Sequence, residues 1–149
     1  KKSTLTFQKP KPKTPKVPID HTLMRQVIHN LLTNAIRYSP PTRESEIVVR
    51  LAKRGSKNYL ISVTDSGIGI SIEEQTRVFQ KFFRTKHAIK IDTEGSGLGL
   101  YIAQVIMEAA GGKVWFESKG KDKGATFYVS FPIDGMKKRE GEKSLAESI

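Results

Sequence analysis

Residues 20–40 read DHTLMRQVIHNLLTNAIRYSP, and this stretch carries the strongest structural signal in the chain. Asp20 is a good helix N-cap, and Ser39-Pro40 ends the helical pattern because a proline disfavours helical backbone in the residue before it. Between these limits apolar residues recur three and four positions apart, which is the period of one helix face. The stretch therefore predicts a helix whose wide apolar face packs on a core. That face consists of Leu23, Met24, Val27, Ile28, Leu31, Leu32 and Ala35.

Short strand-like segments and further helices flank this stretch. Hairpin spacing with interspersed helices favours a mixed, mainly antiparallel sheet covered on one face by about three helices, which is an α+β two-layer sandwich. Residues 85–94 lack apolar periodicity and are predicted to form a mobile loop. The predicted strands are 3–8, 47–51, 59–64, 113–118 and 125–131, and the further helices are 72–79 and 100–110.

Length and composition indicate one globular domain. The chain has 149 residues, of which 37% are hydrophobic and 28% charged, and a chain of this size can bury a core without covalent cross-links. The absence of cysteine excludes a disulfide framework, a thiolate metal site and a cysteine nucleophile. No apolar run approaches the roughly 18 residues of a membrane span. Because the first residue is Lys1 rather than methionine, we expect a piece of a longer protein.

The formal net charge is +11, from 26 Lys and Arg against 15 Asp and Glu. Such an excess favours anionic partners such as nucleic acid, phosphate-rich ligands or anionic membranes. Much of the charge sits near the two ends of the chain, so it does not identify the function by itself. We expect three regions: a basic, Pro-rich arm with an edge strand (1–19), a folded domain (20–134) and a charged, weakly ordered tail (135–149).

Two asparagines on the predicted helix could carry chemistry. At about 100° per residue, Asn30 and Asn34 lie one turn apart on the border of the apolar face. Arg37 continues their row, with Tyr38 beside it. Amide oxygens suit a hard cation, and a guanidinium suits phosphate. The alternative is that asparagines at such a border simply meet solvent.

A carboxylate beside two glycines forms a second candidate, in Asp65-Ser-Gly67-Ile-Gly69. A carboxylate at the end of a strand could accept a hydrogen bond from an exocyclic amine, which would select adenine over guanine. Glycines beside it allow the backbone to approach a flat ring closely. The alternative is an ordinary Asp-Gly turn.

A third candidate is Gly95-x-Gly97-x-Gly99, which opens a predicted helix. The N–H groups and partial positive charge of a helix N-terminus favour phosphate. The spacing is neither the Rossmann fingerprint nor a Walker A motif, and a flexible glycine-rich loop is the alternative. Lys81 and Arg84 could meet phosphate oxygens if the polar loop after them closes, or they could be solvated charges.

In this order and spacing, the segments resemble the motifs of the sensor histidine kinases. Residues 30–38 resemble the N box, 65–69 the first glycine box, 79–84 the F box and 95–100 the second glycine box. The resemblance extends over about residues 20–132, roughly three quarters of the chain. It implies the Bergerat ATP-binding fold, which DNA gyrase, the mismatch-repair ATPases and the ninety-kilodalton heat-shock chaperones share.

The resemblance also implies roles for single residues. Asn34 would bind Mg²⁺ through its side-chain oxygen with help from Asn30, and Arg37 would contact phosphate. Tyr38 would pack near the adenine, and Asp65 would accept a hydrogen bond from the adenine amino group.

Further nucleotide contacts are implied in the same way. Lys81 and Arg84 would reach the terminal phosphates, and residues 85–94, called the lid segment below, would close over the ATP. Thr126 would help to hold a water molecule at the adenine. The remaining contacts would come from Gly67, Gly69, Gly95, Ser96, Gly97, Leu98 and Gly99.

One departure from the ATPases of this superfamily bears on mechanism. They place a water-activating Glu where this chain has Asn30, and an amide has no useful basicity. The resemblance therefore implies slow hydrolysis and transfer of the γ-phosphoryl group to a protein histidine. That acceptor is missing here, because His21, His29 and His87 lack the family's acceptor motif. His29 is predicted to point away from the Asn30 row.

The leading hypothesis is the ATP-binding catalytic domain of a two-component sensor histidine kinase, with ATP and Mg²⁺ as cofactors. The implied partners are a histidine-bearing dimerisation domain of the same parent protein and a response regulator receiver domain. We expect a cytoplasmic location and no contact of this domain with nucleic acid or membrane. A Bergerat-fold ATPase or an anti-sigma-type serine kinase is the first alternative. A basic nucleic-acid-binding module is a distant one, because no stripe of aromatic residues interleaves the Lys and Arg.

Overall fold

The chain folds around one five-stranded sheet in the computed structural model, which describes residues 3–10, 15–40 and 44–137. The strands are β1 (Ser3–Gln8), β2 (Ser45–Arg54), β3 (Asn58–Asp65), β4 (Lys113–Glu117) and β5 (Ala125–Pro132). They lie in the order β1-β2-β3-β5-β4. β1 is parallel to β2, and the other neighbours are antiparallel. The prediction of a mixed, mainly antiparallel sheet is confirmed.

Helix α1 (His21–Arg37) lies where the sequence predicts it. The Asp20 carboxylate caps the helix by accepting hydrogen bonds from two backbone N–H groups of the first turn, both at 2.9 Å. The predicted apolar face turns inward, and both Val27 and Leu31 are fully buried. Helix α3 (Gly99–Ala109) packs against α1 and β4, so the two helices form a second layer beside the sheet.

Strand alternation supplies the other half of the core. One face of the sheet carries apolar side chains at every second position, and Ile47, Val63 and Val129 of this face are fully buried. They pack in one cluster with α1 and with Ala103 and Met107 of α3. Burying an aliphatic side chain of this size stabilises the fold by roughly 1.5–3 kcal/mol. The core therefore fixes α1 and α3 on the sheet.

The short helix predicted over 72–79 is present as a 3-10 helix, Ile72–Arg77, which ends two residues earlier than predicted. None of its residues is buried, so no apolar face favours further α-helical turns. The Gln75 side chain instead ties the segment down by donating to the carbonyls of Ile70 and Ser118, at 3.1 and 3.0 Å.

The lid segment, predicted as a mobile loop, contains helix α2 (Lys86–Ile91), and the prediction of a loop over this stretch is wrong. The Thr85 hydroxyl oxygen caps this helix by accepting a hydrogen bond from the Ala88 N–H at 3.1 Å. Ala88 is the buried residue of the helix. Six residues with one buried side chain leave no periodic pattern of apolar residues, so this helix cannot be predicted from their spacing.

The segments before α1 and after β5 meet beside the core. The Met136 N–H donates to the Pro18 carbonyl at 3.0 Å, and Val17 and Ile19 pack against the core. The proposed division at residues 19/20 and 134/135 stays a prediction, and most of the predicted tail lies outside the described residues. None of the described helices combines the length and the hydrophobicity that a membrane span requires.

The turn between β4 and β5 is clamped onto the segment that follows β3. The Gly124 N–H donates to the Gly67 carbonyl at 3.1 Å, and the Asp122 N–H donates to the Ile68 carbonyl at 2.7 Å. Gly124 has a φ of +67°, and a Cβ there would lie 2.2 Å from the Asp65 carbonyl oxygen. Only glycine permits this approach, which fixes the end of β3.

Gly124→Ala should therefore destabilise the domain more than Gly55→Ala. The φ values are +67° and +61°, so both alanines are strained, but a Cβ at Gly55 meets nothing within 4 Å. In urea unfolding we expect Gly55→Ala to lower the free energy of unfolding by roughly 1–2 kcal/mol. Gly124→Ala should lower it by about 1–3 kcal/mol more, because its methyl group also clashes with backbone. Equal losses for the two variants would contradict the close approach.

Candidate functional site

A cavity of about 300 Å³ opens between α1, the start of α3 and the end of β3. Segments far apart in the sequence line it, and they include parts of all four motifs. The predicted site residues on its wall are Asn30, Asn34, Arg37, Tyr38, Asp65, Gly69, Arg84, Gly95, Ser96, Gly97 and Gly99.

Asp65 is the last residue of β3 and pairs with Ala125 of β5. Its carboxylate accepts hydrogen bonds from the N–H of Gly67, at 2.8 Å, and from the N–H of Ala125. Burial raises the pKa of Asp65 to about 6, although these two hydrogen bonds act in the opposite direction. A partly desolvated carboxylate held in this way can accept a hydrogen bond from the amine of a bound ring.

Asn30 joins α1 to the glycine-rich start of α3. Its Nδ2 donates to the Gly99 carbonyl at 2.9 Å, so the amide oxygen is the remaining acceptor of this side chain. A Cβ on Gly99 would lie 3.6 Å from Asn30 Cγ, which is ordinary contact. Asn34 lies one turn further along the same wall. The two amides therefore bring polar oxygens to the helix N-terminus, where phosphate is favoured.

The donor set suits a divalent cation that arrives with a phosphate ligand. Among the described residues, no group of three or more His, Cys, Asp or Glu could hold a metal ion. Mg²⁺ commonly takes one or two protein oxygens and completes its shell with phosphate oxygens and water. The amide oxygens of Asn30 and Asn34 fit that pattern.

Two arginines of the cavity wall share one carboxylate. Asp92 Oδ2 lies 3.1 Å from Arg37 Nη1 and 3.6 Å from Arg84 Nη2. Arg84 is only 11% exposed, whereas Arg37 is 47% exposed. Arg84 also donates to the carbonyl groups of Ala88, Asp92 and Thr93. The lid segment is thus wrapped around the Arg84 guanidinium.

Three other predicted site residues lie off this wall. The Lys81 ammonium is 5.0 Å from the centre of the Tyr101 ring, and Lys81 lines a separate groove. Gly67 supports the Asp65 carboxylate through its N–H instead of lining the cavity. Leu98 occupies the N-cap position of α3. These three residues are not among those that line the cavity, and their nucleotide contacts stay predictions.

Thr126 is also off the wall, for a reason of strand geometry. Its hydroxyl is 3.0 Å from the hydroxyl of Thr64 in a mutual hydrogen bond, at the exposed face of the sheet. Successive side chains of a strand point to opposite faces, and the neighbouring Ala125 is the residue that lines the cavity. Ala125 is therefore the wall residue at this point, and the expectation that Thr126 helps to hold a water molecule at the adenine stays a prediction.

His29 also lines the cavity, from the row of α1 next to that of Asn30, and the prediction that it points away from the Asn30 row stays a prediction. The cavity wall takes in two neighbouring rows of α1 instead of one. Thr33, one turn after His29, lines it as well, and its hydroxyl donates to the His29 carbonyl at 2.7 Å. A search of both rows would have found these two residues. Other wall residues, none of them predicted individually as a site residue, are Ile68, Ile70, Val78, Phe83, Thr85, Ala88, Leu100, Ala125 and Phe127.

A cavity with both polar and apolar lining at the start of a glycine-opened helix, on an α+β sandwich, is typical of a nucleotide-binding domain. The sequence profile of the histidine kinase-, DNA gyrase B-, and HSP90-like ATPases matches residues 19–135. The chain belongs to this family. Within it, the chain is an ATP-binding catalytic domain of the histidine kinase type.

Curated relatives support this placement. The chain is 37% identical over 133 residues to the adaptive-response sensory kinase SasA of Synechocystis sp., covering 89% of this chain and 33% of SasA. It is 42% identical over 113 residues to the sensor-like histidine kinase SenX3 of Mycobacterium tuberculosis, covering 76% of this chain and 27% of SenX3. The chain thus spans about a third or less of the length of these relatives.

Solved structures show the same fold. The mycobacterial sensor histidine kinase MprB superposes with a TM-score of 0.72 at 27% identity, covering 88% of this chain and 82% of that one. The nucleotide-free catalytic domain of the histidine kinase ThkA gives a TM-score of 0.71 at 28% identity, covering 89% and 81%. The predicted α+β sandwich and its family are confirmed.

Asp65→Asn should stabilise the domain at neutral pH when no nucleotide is present. Burial raises the pKa of Asp65 from 3.8 to about 6, so its contribution to stability is full below pH 4 and is lost as pH rises through 6. Asparagine carries no charge at any of these pH values. In urea unfolding at pH 8 we expect the free energy of unfolding of the variant to exceed that of wild type by up to about 3 kcal/mol, at about 1.4 kcal/mol per pKa unit. This difference between variant and wild type should disappear towards pH 4.

The exposed Asp134 offers a matched control, since Asp134→Asn removes a carboxylate at the far end of β5. This variant should keep the wild-type pH dependence of stability.

The Asp65→Asn protein should also bind adenine nucleotides more weakly in calorimetry, because one hydrogen-bond polarity is reversed. A stability gap that does not depend on pH would contradict the buried carboxylate, and unchanged ADP affinity would remove Asp65 from the nucleotide site.

Proposed function

We propose that this domain holds Mg-ATP and donates the γ-phosphoryl group to a histidine on a separate dimerisation domain of the same parent protein. The observation that carries the proposal is the chemistry of the cavity wall. Among its described residues, Asp65 is the only carboxylate, and backbone N–H groups occupy it at the end of β3. At the start of α3 the wall carries the amide of Asn30 instead, which cannot activate water.

The nucleotide would lie along this wall from β3 to α3. Asp65 would accept a hydrogen bond from the adenine amino group, and Tyr38 would lie near the ring. The N–H groups between Gly95 and Gly99 would bind the phosphate chain, as helix N-termini do. Arg37 would contact the terminal phosphates, and Arg84 is the second guanidinium within the wall.

Mg²⁺ would be held by the side-chain oxygen of Asn34, with Asn30 beside it. A divalent cation between phosphates neutralises charge on their oxygens during transfer. The protein's own contribution is to position the triphosphate. These residue roles rest on the position of the amides at the glycine-rich helix start.

The transfer step needs a nucleophile from outside this domain. An imidazole nitrogen of the acceptor would bond to the γ-phosphorus while the bond from that phosphorus to the β–γ bridging oxygen breaks, so that ADP leaves. His29 and the other histidines of this chain lack the acceptor motif. A response regulator receiver domain would then take the phosphoryl group from the histidine.

The remaining expectations belong to the same proposal. We place the folded unit at residues 20–134, the arm at 1–19 and the tail at 135–149, and we place the domain in the cytoplasm, where ATP is available. We expect no contact of this domain with nucleic acid or with a membrane. Lys81 stays a proposed phosphate contact that would require the lid segment to move, because it lies off the wall.

An ATPase is the second candidate, favoured by one specific observation. His29 lines the cavity, and a histidine near the phosphates could act as a general base for water. The two functions differ in the fate of the phosphoryl group. A serine kinase of the anti-sigma type would share the pocket and differ only in its acceptor.

Phosphoryl transfer can be tested with radiolabelled ATP. The domain mixed with Mg-ATP and a histidine-bearing dimerisation fragment should label the fragment in an acid-labile form, while the domain alone should label nothing and release little phosphate. A fragment with its histidine replaced by alanine is the control. Rapid phosphate release by the domain alone, abolished by His29→Ala, would favour the ATPase instead.

Binding can be checked first by thermal unfolding. A ligand that binds only the folded state raises stability, so Mg-ATP should raise the melting temperature and duplex DNA should not. A shift with DNA and none with Mg-ATP would overturn the kinase proposal in favour of a nucleic-acid-binding module.

Asn34→Ala should remove the Mg²⁺ dependence of nucleotide binding. In the wild-type domain, ATP affinity in calorimetry should fall when Mg²⁺ is replaced by a chelator, because the Asn34 amide oxygen would hold the ion that neutralises phosphate charge. In the variant the two affinities should differ by about twofold or less, and ADP affinity without metal should be near the wild-type value. Asn58→Ala, at the opposite end of β3, is the control. Equal losses of affinity with and without metal would make Asn34 a structural residue.

A further inference from the structure

The lid segment places a carboxylate on the two guanidiniums that a triphosphate would need. Asp92 Oδ2 lies within salt-bridge distance of both Arg37 and Arg84, at 3.1 and 3.6 Å. Both arginines line the cavity. Asp92 itself follows directly after α2, so a single side chain links the lid segment to the end of α1.

The surrounding backbone is shaped around this contact. A Cβ at Gly95 would lie 2.8 Å from Asp92 Oδ2 and 3.0 Å from the Arg84 guanidinium carbon, so the absence of a side chain at Gly95 makes room for the ion pair. Arg84 also donates to the Asp92 carbonyl. The other carboxylate oxygen, Asp92 Oδ1, accepts a hydrogen bond from the Glu94 N–H at 3.1 Å. Asp92 is therefore held in one place by independent contacts.

A carboxylate and a phosphate cannot occupy the same edge of a guanidinium at once, and both are anionic acceptors of its N–H groups. We propose that Asp92 is an internal competitor of the nucleotide's terminal phosphates. Its carboxylate holds Arg37 and Arg84 until a phosphate displaces it, and its departure releases α2 from the wall. This inference rests on the proposed function, since it takes the two arginines to be phosphate contacts.

The competition makes Asp92 a residue that discriminates nucleotides by their phosphates. A ligand without phosphates has nothing to exchange for the carboxylate and leaves the contact intact. A triphosphate forms its own ion pairs with Arg37 and Arg84 in place of those of Asp92. Because the Asp92 contacts are lost when it binds, its affinity is lower than it would be without Asp92. A ligand shifts a conformational equilibrium only by its differential affinity for the two states. Closure and release of the lid segment are therefore linked to the terminal phosphates and not to the adenine.

Asp92→Asn is the decisive substitution, because asparagine keeps an oxygen for the Glu94 N–H and removes only the charge. In calorimetry with Mg²⁺, we expect this variant to bind ATP about five- to thirtyfold more tightly than wild type, the range for loss of two partly exposed ion pairs. Adenosine affinity should change by less than about twofold. Asp134→Asn makes the same change of charge at a remote exposed site and should leave both affinities unchanged.

Hydrogen exchange tests the contact between Asp92 and the two arginines first in the absence of nucleotide and then in its presence. Amides of Lys86–Ile91 should exchange faster in Asp92→Asn than in wild type, while exchange in the core strands stays the same and shows that the variant is folded. In the wild-type domain, ATP should alter exchange in α2 and adenosine should not.

The outcomes separate the two proposals. If the wild-type domain binds Mg-ATP but Asp92→Asn binds it equally or more weakly, Asp92 does not compete with the terminal phosphates. The further inference is then overturned, and the proposed nucleotide function stands. Unchanged hydrogen exchange in α2 of Asp92→Asn would also overturn the inference that Asp92 holds the lid segment in competition with phosphate. If wild type does not bind ATP, the proposed function fails, and the inference fails with it.

Discussion

Helix α1 has to seal the core along one face and present polar groups along the adjacent edge. Val27, Leu31 and Ala35 are buried against the sheet, and burial fixes the rotation of the helix about its axis. That rotation alone decides where Asn30 and Asn34 point. The hydrogen bond from Asn30 to the Gly99 carbonyl then sets the start of α3 against the same edge. Core packing and the polar wall of the cavity are therefore consequences of a single orientation.

Close backbone approaches set the other side of the cavity. Gly124 lies against the Asp65 carbonyl, and a Cβ on Gly69 would lie 2.1 Å from the Gly120 carbonyl oxygen. The Ser118 hydroxyl adds to this clamp by accepting the Ile70 N–H at 3.0 Å and donating to the Gly124 carbonyl at 2.8 Å. Such contacts hold the segment after β3 in place before any ligand arrives, which lowers the ordering cost of binding.

Two carboxylates show how charge is used differently at the two ends of the cavity. Asp65 is buried with its pKa raised to about 6, so its charge at neutral pH opposes folding and is offset by the rest of the core. Asp92 is paired with two arginines and stabilises the position of the lid segment. The first is a fixed acceptor in a rigid wall, and the second sits on a short helix with one buried side chain, the kind of element that opens at low free energy.

Local patterns in the sequence were sufficient for α1, for the alternating strands and for the order of the four motifs. Each of these depends on side-chain periods or backbone permissiveness within a short stretch. The sequence did not show that the wall takes in His29, that Thr126 faces away, or that the lid segment forms α2. Those features depend on how far the cavity extends around α1, on the strand register that turns Ala125 inward, and on the ion pair between Asp92 and the distant Arg37. Only the packed chain brings such groups together, because no local period records a contact between residues fifty positions apart.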